Sequence, residues 1–258
     1  MANKAAGSAI SEDAVLGGRV RLRQPLRGHR VGHDAILLAA ASGGRAGEHA
    51  VEFGSGVGAA GLALAARVPG LAVTLVEIDP ALCDLAAQNA TLNGLRDRVD
   101  VRCLDVTDSN AVSRLPAAER VLMNPPFNDP ALAQMSPHSG KRLAHAGGAA
   151  LLAAWVGAAA QVLKPQGVLT LIWRAEAAAD VREAFAGRFG DVVTLPVYPR
   201  DGAAPIRVLV RGVKGAPPRE SELPGLVLND AAGKPTAAAE EILRAGRTLP
   251  IAEFTGSG

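Results

Sequence analysis

The spacing of apolar positions changes character along this chain. From Gly18 to Leu26 they alternate with charged residues (Arg19, Val20, Arg21, Leu22, Arg23), the two-residue repeat of a strand with one wet face. Gly28 to Gly32 reads as a turn, after which Asp34 is placed to cap an apolar helix over Ala35–Ala41. From Ala50 onward, short apolar runs alternate with longer helical segments. The predicted strands are Val51–Phe53, Leu71–Ile78, Val99–Leu104, Val121–Met123 and Val168–Trp173, and the helices between them are Ala59–Arg67, Pro80–Asn93 and Leu151–Leu163. Asn93-Gly94 is a helix stop, and Lys164-Pro165-Gln166-Gly167 is a tight turn. A helix over Asp180–Phe189 precedes Val192–Val197 and Ile206–Val213, which read as a hairpin.

Strands alternating with helices predict an α/β fold, a mostly parallel sheet covered on both faces, with ligands beyond the carboxyl ends of the strands. We expect residues 50–214 to form the main domain. Residues 1–49 would form a basic extension over the pocket, mobile through about residue 14, and residues 215–258, rich in Pro and Gly, would pack over the outside.

Composition narrows the picture only a little. At 258 residues, 48% hydrophobic and 20% charged, the chain suits one ordinary globular core. A net charge of +2 is compatible with nucleic acid without demanding it. Its distribution says more: Arg19, Arg21, Arg23, Arg27 and Arg30 have no acid between them, and Lys141-Arg142 form a second basic point. Cys83 and Cys103 have no metal-ligand spacing and are expected to be buried reduced thiols; no metal is expected. The apolar stretch from Ala149 to Leu163 is shorter than the ~20 residues of a membrane span and is interrupted by Gln161, so a cytoplasmic protein with no membrane partner is expected. Monomer and homodimer are both compatible with the sequence.

The candidate chemistry lies at predicted strand ends. Gly54, Gly56 and Gly58 in Glu52-Phe53-Gly54-Ser55-Gly56-Val57-Gly58 allow a turn that brings backbone N–H groups close to a ligand. Gly56-x-Gly58-x-x-Gly61 also fits a dinucleotide fingerprint, with Glu77 about 20 residues on, so NAD is a rival to S-adenosylmethionine (SAM). Glu52 at the mouth of the turn favours the cationic sulfonium and ammonium of SAM over a pyrophosphate. Glu77 suits ribose hydroxyls and Asp105 an adenine amino group, with Ile78 and Val106 beside them.

Asn124-Pro125-Pro126-Phe127 follows the fourth strand. An exocyclic amino nitrogen is a poor nucleophile because its lone pair is delocalised. The Asn124 side-chain oxygen and the Pro125 carbonyl could each accept one hydrogen of the NH2, turning the lone pair toward a sulfonium methyl. Consecutive prolines aim the carbonyl, and Phe127 can stack on a flat substrate.

These residues resemble the class I SAM-dependent methyltransferases, in the amino-methylating branch with Asn/Asp-Pro-Pro-Tyr/Phe, over Ala50 to about Val213. Gln24-Pro25-Leu26-Arg27-Gly28-His29-Arg30-Val31-Gly32-His33-Asp34-Ala35-Ile36-Leu37-Leu38 is similar to the N-terminal signature of bacterial tRNA adenine N6-methyltransferases. Ser136-Pro137 with Arg142 and His145, Leu163-Lys164-Pro165-x-Gly167 and Ile206-Arg207-Val208-Leu209-Val210 extend the likeness. The resemblance implies a Rossmann-like, seven-stranded, mostly parallel sheet with helices on both faces and a C-terminal antiparallel hairpin. It implies SAM as cofactor, with Asp34 and Asn124 joining the cofactor residues. It also implies RNA, tRNA foremost, as partner, met by Arg30, His33, Phe127, Lys141, Arg142, His145 and Arg207. A protein glutamine, an rRNA guanine or a DNA adenine would fit the same slot. An NAD-dependent oxidoreductase and a catalytically idle RNA-binding module remain alternatives from other classes.

Overall fold

The computed structural model describes residues 10–27, 30–126 and 148–253. Strands β1 (Ile10–Val15) and β2 (Val20–Pro25) form an antiparallel ribbon joined by a short turn at Leu16–Gly18. The alternation in β2 is realised: Val20, Leu22 and Gln24 are buried, while Arg21 and Arg23 face out. Residues 10–14, expected to be mobile, are instead paired along β1. Only one face of β1 is half-buried, a weak signal to read from a single strand.

Helix α1 (His33–Ser42) follows. The central sheet begins with β3 (His49–Phe53), α2 (Ala59–Arg67), β4 (Ala72–Glu77), α3 (Pro80–Leu92) and β5 (Val99–Cys103). After the short helix α4 (Ser109–Val112) come β6 (Ala118–Met123), α5 (Gly148–Val162), β7 (Leu163–Arg174), α6 (Ala178–Phe185), β8 (Phe189–Arg200) and β9 (Arg207–Lys214). The expected turn at Lys164–Gly167 bulges out of the β6–β7 ladder, which skips from Ala118 opposite Leu163 to Arg120 opposite Val168. Gln166 takes φ +63 there. Helix α6 stops short of the expected Phe189 because Gly187, at φ +73, turns the chain into β8.

The strands run β5-β4-β3-β6-β7-β9-β8, parallel except for β9, which is antiparallel to both its neighbours. This is the expected sheet and hairpin, but among the described residues the sheet has nine strands rather than seven. The extra two come from the tail: β10 (Glu220–Glu222) and β11 (Leu226–Asn229) both pair parallel with β8. The tail continues through α7 (Ala237–Leu243) to a turn at Pro250–Ala252, where Ile251 is fully buried. It is integrated into the fold rather than loosely laid on it.

Two apolar clusters sandwich the sheet. One gathers α1, α2, parts of α3, the ribbon and the tail around Leu38, Leu62 and Leu75. The other gathers α5 and α6 around Trp173, Phe53 and Phe185. Trp155 and Trp173 are both buried, as core residues should be. Cys83 is buried as expected, but Cys103 is exposed at the end of the edge strand β5. Burial pushes the Cys83 thiol well above its ordinary value, with Cys103 adding to the rise.

Candidate active site

Strand β3 is flanked by β4 on one side and β6 on the other, and the chain moves outward from it in both directions. Such a reversal opens a crevice at the carboxyl ends of the strands. Phe53 of β3 lies opposite Met123 of β6, so Gly54 and Asn124 leave the sheet side by side at that crevice. The two motifs singled out in the sequence are thereby brought together.

Gly54, Gly56 and Gly58 all have positive φ (+64, +55 and +88), a conformation that L side chains rarely adopt. Their surroundings differ. A Cβ on Gly54 would stand 2.5 Å from the Trp155 ring, which packs edge-on against Phe53 beneath the turn. A Cβ on Gly58 would meet Leu75 at 2.8 Å. Gly56 has nothing within 4 Å of such an atom, so its backbone faces open space. The turn is packed from below and open above, the form a ligand cradle takes.

The acids behave differently from what their positions suggested. Glu52 does not stand open at the mouth; it is 5% exposed and accepts the Gly61 N–H at 2.7 Å, fastening the start of α2 to the sheet. Burial pushes its carboxyl up to about 8, against the lowering effect of the Gly61 N–H, and the nearby Glu77 adds to the rise. Glu77 is also buried. It accepts the Gly56 N–H at 2.8 Å on one oxygen, and the N–H groups of Ile78 (2.8 Å) and Asp79 (3.0 Å) on the other. Three of its roughly four acceptor sites are thus filled by backbone. Asp105 accepts from the Thr107 N–H and hydroxyl, at 2.8 and 2.7 Å, which fixes the turn beyond β5. Between these two acids the wall is apolar: Ile78 is 44% exposed, and Val106 is buried.

On the other side of the crevice, Pro125 is buried and Asn124 half-buried. The Asn124 Oδ1 is shielded from solvent and has no hydrogen-bond partner among the described residues. Leaving such an oxygen unpaired costs about 1–3 kcal/mol. Phe127, Lys141, Arg142 and His145 lie outside the described residues.

At the rim, Asp34 does not cap α1. The cap position is Gly32, and Asp34 sits in the first turn, accepting from Arg207 Nε at 2.9 Å. The expected cofactor residue and the expected substrate residue are therefore ion-paired to each other. His33 is exposed at the start of α1. The arginine-rich face is also less basic than the sequence implied. Arg21 and Arg23 both pair with Glu12, and Arg30 pairs with Asp13, acids delivered by the unexpected strand β1. Arg21 foremost, with Arg23, holds the Glu12 carboxyl below its ordinary value.

Asn89 of α3 and Asn93 at its carboxyl-terminal cap, which sequence reasoning passed over, dock the ribbon. Their carboxamides bond to the backbone of Arg23 and Arg21, and Asn89 reaches Val57 in the glycine turn as well. Two amides one helical turn apart were the available signal.

A sheet of this order with a glycine cradle at its switch point is an architecture that binds nucleoside cofactors, and comparison with known proteins supplies the class. Residues 34–196 match the family model described as Methyltransferase small domain, and the chain belongs to that family. It is a SAM-dependent methyltransferase.

Among relatives, a tRNA1(Val) (adenine(37)-N6)-methyltransferase from Porphyromonas gingivalis strain ATCC 33277 is 31% identical over 65% of this chain and 69% of its own. Its counterpart in strain W83 is 30% identical over the same shares. Among solved structures, a predicted O-methyltransferase from Agrobacterium tumefaciens superposes with a TM-score of 0.70 at 27% identity, covering 83% of this chain and 97% of that one. TrmN from Thermus thermophilus shares the fold at a TM-score of 0.50 and 20% identity, over 69% and 48% of the two chains.

Proposed function

We propose that this enzyme methylates the exocyclic N6 of an adenine in RNA, tRNA foremost. The observation that carries the reading is the shielded Asn124 Oδ1, which lacks a partner among the described residues at the crevice shared with the glycine turn. A buried acceptor of this kind suits an arriving N–H donor. With the Pro125 carbonyl it would make two acceptors for two hydrogens, a match for an amino group rather than for a hydroxyl with one. The names of the Porphyromonas relatives support adenine N6 in tRNA among the possible amines.

The residues fit SAM. The open backbone at Gly56 and the exposed Ile78 side chain form a cradle and an apolar wall for a nucleoside. Gly54 to Gly58 would hold the cofactor, with Glu77, Ile78, Asp105 and Val106 on its nucleoside side. Glu52 would act through the shape of the turn, and Asp34 through its ion pair with Arg207 at the rim. SAM supplies an electrophilic methyl group on a positively charged sulfur. Asn124 and Pro125 would hold both amino hydrogens so that the nitrogen lone pair faces that methyl. The rigid prolyl backbone keeps this orientation without reorganisation during the reaction. The methylated nitrogen is acidic and can release its proton to water.

The test is transfer from labelled SAM to tRNA prepared without the modification, followed by nucleoside analysis. Label in N6-methyladenosine supports the reading. Label that stays in protein after complete RNA digestion overturns it in favour of a glutamine acceptor.

A further inference from the structure

Strand β2 pairs with β1 along one edge only, and its other edge runs along α3. There, two asparagine side chains replace a neighbouring strand. Asn89 Oδ1 accepts the Arg23 N–H at 2.7 Å, and its Nδ2 donates to the Arg23 carbonyl at 3.0 Å. Asn93 does the same for Arg21, at 2.8 and 2.7 Å. The spacing makes this possible: four helical residues rise about 6 Å, close to the roughly 6.8 Å of two strand residues. Asn93 Nδ2 also donates to the Asn89 carbonyl at 2.7 Å, which ties the two rungs together.

Asn89 has a further bond that Asn93 lacks. Its Nδ2 donates to the carbonyl of Val57, between Gly56 and Gly58, at 3.0 Å. Asn89 is fully buried, so this carboxamide has no solvent to turn to if either partner moves away. A single side chain therefore bonds the ribbon and the glycine turn together. The turn is held on its other side by Glu77 through the Gly56 N–H.

We infer that Asn89 is a positioning residue that couples docking of the β1–β2 ribbon to cofactor binding. With the ribbon docked, the Asn89 carboxamide is fixed in the orientation that supports Val57. With the ribbon released, the same amide loses two of its three partners and the turn loosens. This rests on the assignment of the glycine turn as the SAM cradle. Coupling of this kind is reciprocal, so SAM must also hold the ribbon down.

Amide hydrogen exchange on the wild-type protein tests this without any variant. The readout is the Arg21 N–H, which is bonded to Asn93 and makes no contact with the turn. Saturating SAM should slow its exchange by about fivefold, the worth of one ordinary hydrogen bond. In Asn89→Ala the same SAM addition should leave Arg21 exchange unchanged, although Asn93 is intact, and SAM should bind about fivefold more weakly by calorimetry. Wild-type Arg21 exchange indifferent to SAM overturns the inference, as does equal protection in wild type and variant. If Asn89 only stabilised the fold, the variant would bind SAM at lower stoichiometry with an unaltered Kd, which also overturns it. Wild-type protein that gave no heat with SAM would instead refute the assignment of the cradle, a result the exchange data alone would not produce.

Discussion

Glu77 and Asn124 stand at the carboxyl ends of the two strands flanking β3, and the fold treats their oxygens in opposite ways. Glu77 is filled from within, by the N–H groups of Gly56, Ile78 and Asp79. Asn124 is left with a shielded oxygen that no described residue satisfies. A group filled mostly by its own backbone is fixed in shape before any ligand arrives. A group left unsatisfied gains most from the arrival. The β4 side of the crevice is thus built to hold, and the β6 side to recognise and orient. The same contrast runs through the turn, where Gly54 is pressed against Trp155 and Gly56 is open.

Substitution can break this division. The largest effect is expected at Asn124: Asn124→Ala should lower kcat by about 100- to 1000-fold, the usual cost of removing one fixed transition-state contact, while SAM affinity by calorimetry stays near wild type. Equal losses in kcat and SAM affinity would erase the distinction between the two sides. Next comes the packed glycine. Gly54→Ala combines a positive φ with a 2.5 Å approach to Trp155, and should cost about 2–4 kcal/mol in urea unfolding. Gly56→Ala should cost only about 1–2 kcal/mol of stability but weaken SAM binding, since its methyl enters the open side.

Smaller effects sharpen the account of the acids. Glu77→Gln removes the charge and turns an NH2 donor toward the Gly56 N–H, which loses its acceptor, and should weaken SAM by roughly tenfold, about 1.4 kcal/mol. Glu52 should show itself through pH alone. Its folded carboxyl holds a proton up to about 8, well above its ordinary 4.5. The stability this gives is complete below pH 4.5 and is lost as pH rises toward 8. The melting temperature should fall across that window, and Glu52→Gln should flatten the fall.

Much of this was legible in the sequence where local rules and tertiary structure agree. Ala59–Arg67 was read with its observed bounds because a glycine turn opens the helix and Val68 leaves it with extended geometry. Strands β3 to β9 were found within a few residues, since buried parallel strands are continuous apolar runs, whereas β10 and β11 in the tail were not. What escaped depends on partners distant in the chain. Strand β1 carries no strong apolar pattern, and without it Glu12 and Asp13 could not be placed beside Arg21, Arg23 and Arg30. The bare run of arginines therefore looked more cationic than it is. Glu52 was misread for a related reason: its place before Gly54 suggests the mouth of the turn, while the side chain points under α2 toward Gly61. Asn89 and Asn93 read as ordinary polar helix positions, because two amides one turn apart do not by themselves say that a strand edge lies against them.

The carboxyl-terminal strands bear on solubility. Strand β8 spans Phe189 to Arg200, and its side away from β9 is met by β10 and then β11. Stripped of them, it would offer a long row of bare amide and carbonyl groups, a template onto which a second molecule could zip. A chain cut after Lys214 also loses the core positions filled by Ile242, Leu249 and Ile251, and is therefore expected to self-associate along this border, with light scattering rising above that of the full chain.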